Sequence, residues 1–154
     1  MLQSLRSLSL LLSIGVASIA LLFHRATLAS DEELFRSHWA EILASTDVDF
    51  MKKAVIECMR GKSQQGAPAA PCDTTANLVT SGFLPTGYLN PTLPKWYGTV
   101  VYAGGMFTFT GGAATGSTAC IVTLTPNVSG TRVQWTFANP VPVVCDYRIT
   151  GVGM

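Results

Sequence analysis

The sequence predicts an α+β fold: a long N-terminal helix, apolar in its first half and amphipathic in its second, packed on a C-terminal antiparallel β-sheet. Three observations predict it. An apolar run from Leu8 to Phe23 leads into helical periodicity as far as Arg60, a Gly/Pro/Gln-rich stretch follows, and five short β-type stretches fill the chain after Gly98. The 154 residues have room for one domain of ordinary size and an N-terminal segment. The expected organisation is an apolar segment 1–29, an amphipathic helical region 30–61, a loop region with a short helix 62–98, and a sheet region 99–154.

The apolar run is about 16 residues long, between Arg6 and His24-Arg25. A signal-peptide core is roughly 7 to 15 residues and a membrane span roughly 17 to 25, so length does not choose between cleavage and retention. Thr27-Leu28-Ala29 ends on a small residue, and Ser30-Asp31-Glu32-Glu33 has the pattern of a helix start with Ser30 as N-cap, so cleavage between Ala29 and Ser30 is one expected fate.

Phe35, Trp39, Ile42, Leu43, Thr46, Phe50, Ala54, Val55 and Cys58 recur at spacings near three and four, the stripe of an amphipathic helix. On this pattern Trp39 and Phe50 are core residues. Thr46 with Asp49 is placed to cap a second helix after a break at 45–49, and Gly61 is placed to end it. The stretch 61–71 then reads as a loop bracketed by Cys58 and Cys72. A bond between them closes about 15 residues, worth roughly 3 kcal/mol on the chain-entropy estimate. Ala76 to Val79 is expected to form a short helix ending at Gly82.

The five strand candidates are Thr99 to Ala103, Met106 to Thr110, Ala119 to Thr125, Thr131 to Ala138 and Pro142 to Thr150. Gly104-Gly105, the loop 111–118, 126–130 and Asn139-Pro140 separate them, and connections this short favour antiparallel neighbours. Val133, Trp135 and Phe137 alternate with Arg132, Gln134 and Thr136, one dry face and one wet. The same rule places Cys120 with Val122 and Leu124, and Cys145 with Val143, Tyr147 and Ile149. That makes Cys120 with Cys145 the preferred pairing, although four cysteines allow three connectivities. An even cysteine set behind an export-like segment favours disulfides in an oxidising compartment.

The order of parts resembles the type IVb pilins and the related subunits of conjugative thin pili. Ser7-Leu8-Ser9-Leu10-Leu11-Leu12, Ser13-Ile14-Gly15 and Phe23-His24-Arg25-Ala26 resemble the family's N-terminus. Leu78-Val79-Thr80-Ser81-Gly82-Phe83-Leu84-Pro85 and Trp96-Tyr97-Gly98 resemble the segment leading into its sheet, and Ala119 to Pro126 with Val133 to Thr136 resemble its closing strands. The resemblance implies processing between Ser7 and Leu8, with Ser7 in the place of the family's glycine and Leu12 in the place of its glutamate. These two departures imply an atypical or minor subunit. It further implies a pilin-like fold, a late disulfide stapling the C-terminal region, other pilin subunits and the inner membrane as partners, and display in an extracellular filament with a host or cell-surface receptor as a further partner. The alternative, if the chain is cut at Ala29, is a secreted or periplasmic disulfide-stabilised β-rich binding or adhesin domain.

Other chemistries find little footing. The net charge of +1, with thirteen of nineteen charged residues between Arg25 and Lys62, provides no basic patch for nucleic acid. His38 is the one base outside the apolar run and no Gly-x-Ser-x-Gly elbow frames a nucleophile, so no enzyme is expected. No metal or cofactor is expected either. Gly111 to Gly116 lacks the Lys-Ser/Thr ending of a phosphate loop and reads as a flexible hairpin connection.

Overall fold

The computed structural model describes residues 31–65, 72–94, 96–129 and 132–153, with side chains for all of these except 62–65. The chain divides into two units, 1–34 and 35–154, and the second holds the layers that follow. The processing positions Ser7 and Leu8, their alternatives Ala29 and Ser30, and the apolar run all lie outside the described residues.

The long N-terminal helix is overturned. The described helical region is two short helices, α1 at 31–43 and α2 at Thr46–Gln65, interrupted at 44–45. The interruption has a local cause. The Ser45 N–H bonds the Ile42 carbonyl at 3.2 Å in a tightened last turn, and the Ser45 hydroxyl accepts from the Val48 N–H at 3.4 Å. Ser45, one residue before the expected Thr46, thus caps α2. The new start resets the phase of the apolar stripe. Val48, Met51, Val55 and Cys58 are wholly buried, whereas Phe50 is 43% exposed and stacks its ring on Tyr88 at 5.7 Å. Phe50 is therefore not a core residue. Gly61 does not end α2, which runs on to Gln65.

A short helix, α3, spans Thr75–Thr80, with the Thr74 hydroxyl accepting from the Asn77 N–H. The sheet follows as β1 (Gly98–Ala103), β2 (Met106–Gly111), β3 (Ile121–Ser129) and β4 (Arg132–Ala138), in that spatial order and antiparallel throughout. Gly104 and Gly105, both at positive φ, make the two-residue turn between β1 and β2, whose hand suits the twist of the strands.

The fifth expected strand does not form. Pro142 to Thr150 is a turn followed by a single helical turn, α4 (Tyr147–Thr150), capped by the Asp146 carboxylate on the Arg148 N–H. Val143 is 98% exposed and Tyr147 lies at the surface, so the expected inward row there is absent as well. Pro126, expected in a turn, lies within β3 opposite Trp135.

Register assigns the sheet faces. Val100 and Tyr102, Phe107 and Phe109, Val122 and Leu124, then Trp135 and Phe137 share the face that meets α2 in one core. Lys52 of α2 lies 5.9 Å over the Trp135 ring. The other face carries Thr99, Thr108, Thr110, Thr123, Thr125 and Thr136. The β2 register on β3 ends at Phe107 opposite Leu124, so the β3–β4 pair projects past its neighbours and leaves Val128 46% exposed.

Two disulfides close this unit. Cys58 of α2 is bonded to Cys72, with Cα atoms 5.9 Å apart, and Cys120 at the start of β3 to Cys145, at 5.5 Å. The second fastens the turn after β4 to the sheet.

Candidate functional site

Polar side chains of α1 meet backbone from distant sequence at the loop between β2 and β3. The loop begins at Gly111 and Gly112, makes a 3-10 turn at Ala113–Thr115 and reaches Gly116. Both glycines have steric reasons to be there. A Cβ on Gly112 would stand 2.3 Å from the Trp96 carbonyl oxygen, and one on Gly111 would stand 2.4 Å from that of Ser117. Thr115, wholly buried, closes the turn from within: its hydroxyl donates to the Gly112 carbonyl at 2.9 Å and accepts from the Gly112 N–H at 2.8 Å.

This loop is the hairpin connection between β2 and β3 that its composition predicts, and it also serves as a socket for α1. The Trp39 indole N–H donates to the Thr115 carbonyl at 3.3 Å, and Nδ1 of His38 lies 2.6 Å from the Ala114 carbonyl oxygen. A carbonyl only accepts, so Nδ1 is the donor in this contact. The Phe35 ring lies against Gly116. The Ala114 N–H bonds the Trp96 carbonyl at 2.9 Å, which fixes the loop to the segment before β1.

The neighbouring Tyr97 completes the group. Its ring centroid is 5.0 Å from that of His38, and its hydroxyl donates to the Glu41 carboxylate at 2.7 Å. That bond and the negative charge behind it raise the Tyr97 pKa, since they favour the protonated phenol. Chemically, the arrangement holds a helix to a loop. The Thr115 hydroxyl, a nucleophile by type, is spent on its own turn, and His38 is oriented by a backbone carbonyl. Among the described residues no three His, Cys, Asp or Glu side chains gather as a metal site.

Of the residues singled out in the sequence, His38 and Trp39 are brought to the socket, and the four cysteines lie in the two disulfides, with the Cys120 carbonyl accepting from the Gly111 N–H at the socket's edge. Glu41, Tyr97 and Thr115 were not foreseen. The spacing of His38 and Glu41 puts both on one helix face, but their partners lie 76 and 56 residues away and leave no local signal. Among the described residues no helix is long and apolar enough to cross a membrane. Comparisons with protein-family models, with curated proteins and with solved structures find no match, so the functional reading rests on the chain's own residues.

Proposed function

We propose that the chain is a structural subunit of an extracytoplasmic, pilus-like assembly, in which the stapled two-layer unit is the displayed part and the apolar segment Leu8 to Phe23 joins neighbouring subunits. The observation that carries this reading is the pair of disulfides, one at each end of the layered unit. Such bonds persist outside the cytoplasm and hold a small domain rigid under conditions that would open it. The socket supports the same role: its histidine, tryptophan and tyrosine are used in packing and orientation. The work asked of the chain is mechanical, through burial of apolar surface between subunits, and it involves no cofactor. Its partners are the other subunits, the inner membrane before assembly, and a surface or receptor met by the exposed sheet.

A second reading, a secreted or periplasmic binding domain, is favoured by the outer sheet face, where six threonines stand in register and Arg132 is the lone charged residue on the four strands. One experiment separates the two. The mature N-terminus is sequenced from surface-sheared, membrane and free fractions of the producing cell. A start at Leu8, in the membrane or sheared fraction, is the expected result. A start at Ser30 on freely soluble material overturns the subunit reading in favour of the binding domain.

A further inference from the structure

The two edges of the sheet are finished differently. On the outer side of β1, Tyr102 donates its N–H to the Asn90 side-chain oxygen at 3.2 Å, and the Thr75 hydroxyl reaches that same oxygen at 2.9 Å and the Tyr102 carbonyl at 3.5 Å. Side chains from the preceding loop and from α3 thus occupy the positions an added strand would need. Among the described residues β4 has no such cover. It pairs with β3 on one side, and among the described residues no hydrogen bond reaches its outward backbone groups.

The composition of β4 does not blunt that edge. Arg-Val-Gln-Trp-Thr-Phe-Ala has no proline, glycine or lysine, and its single charge stands at the first residue. An extended, mostly apolar edge strand lacking these devices is a ready template for another strand. Phe137, on the core face of β4, is left 41% exposed.

We infer that β4 pairs antiparallel with β4 of a second copy of this chain, about a two-fold axis at Trp135. Charge and polarity select this occupant. The symmetric register sets Arg132 opposite Ala138 of the second copy, so the two guanidinium groups never face each other. Val133 meets Phe137 and Trp135 meets Trp135 on the core face, while Gln134 meets Thr136 on the wet face. A two-fold axis normal to the sheet keeps both α2 helices on the same side, so the helix layer continues across the seam and Phe137 gains a neighbour there. The seam is seven residues, about 24 Å long at the usual rise per residue. A single pair of strands of that length is a narrow contact, so the dimer is concentration-dependent and not obligate. This pairing is independent of where the mature chain begins.

The test is sedimentation equilibrium of the full chain in detergent, over a range of concentrations. All variants keep the same apolar front, so differences between them report on the edge. The wild type is expected to move from monomer to dimer. Gln134→Lys with Thr136→Lys sets ammonium against ammonium twice across the seam and is expected to weaken the dimer roughly tenfold or more. Mixing that variant with one carrying Gln134→Glu and Thr136→Glu is expected to restore a heterodimer, and Thr108→Lys, on the same face but in β2, is expected to leave dimerisation unchanged. Far-UV circular dichroism confirms that each variant is folded. A wild type monomeric throughout, a lysine variant that dimerises as well as the wild type, no recovery on mixing, or equal loss in Thr108→Lys would each overturn the pairing.

Discussion

The Trp39 indole donates to the Thr115 carbonyl across 76 positions of sequence, and this bond fastens α1 to the loop between β2 and β3. Trp39 is wholly buried. Trp39→Phe keeps most of the ring volume but leaves that carbonyl without its donor, and is expected to cost about 1–3 kcal/mol. Trp39→Ala also opens a cavity and is expected to cost about 3–5 kcal/mol. Urea unfolding of both variants checks the order; a Trp39→Phe variant as stable as the wild type would mean that the hydrogen bond contributes nothing.

The phase reset at Ser45 separates two neighbours in α2. Met51→Ala removes a wholly buried side chain and is expected to cost about 2–5 kcal/mol. Phe50→Ala loses a half-exposed ring and its stack on Tyr88, for about 0.5–1.5 kcal/mol. Thermal unfolding of the pair decides, and a larger loss at Phe50 would restore the uninterrupted stripe.

Each disulfide is expected to contribute about 2–5 kcal/mol. Replacing Cys120 and Cys145 together by serine should cost the more of the two pairs, because the bond spans 25 residues against 14 and both cysteines are almost wholly buried. On chain entropy alone the longer span is ahead by about 0.5 kcal/mol. Denaturation of the two double-serine variants under oxidising conditions measures the difference, and mass spectrometry of unreduced peptides checks the pairings.

Tyr102 predicts an alkaline limit. Burial, with a smaller push from the charge of Asp73, raises its pKa to about 12 from the usual 10, and its hydroxyl donates to the Cys72 carbonyl. A phenol held protonated in the folded state adds stability that is complete below about pH 10 and is lost as pH rises through about 12. Stability measured across that window should therefore fall, and Tyr102→Phe should flatten the fall while lowering stability at neutral pH. A wild-type profile no steeper than that of Tyr102→Phe would refute the assignment.

Much of the sheet was legible in the sequence, because strand alternation is a local property. Val133, Trp135 and Phe137 declare one face, and Gly104-Gly105 declares a turn, before any partner is known. The fifth strand misled for the same reason: Val143, Cys145, Tyr147 and Ile149 alternate as a strand should, yet alternation does not supply a neighbour to pair with. After β4 the chain turns at Asn139, whose side-chain amide donates to the Cys145 carbonyl, and the bond to Cys120 holds it there.

Periodicity and composition, written within short windows, were enough for helices packed on a sheet, four of the strands and an even cysteine set. Packing alone decided the use of a glycine-rich loop as a socket and which sheet edge is closed. Each of these depends on one group meeting another far along the chain: Trp39 with Thr115, His38 with Ala114, Tyr102 with Asn90 and Thr75. Such meetings are set by packing, and packing leaves no period in a sequence.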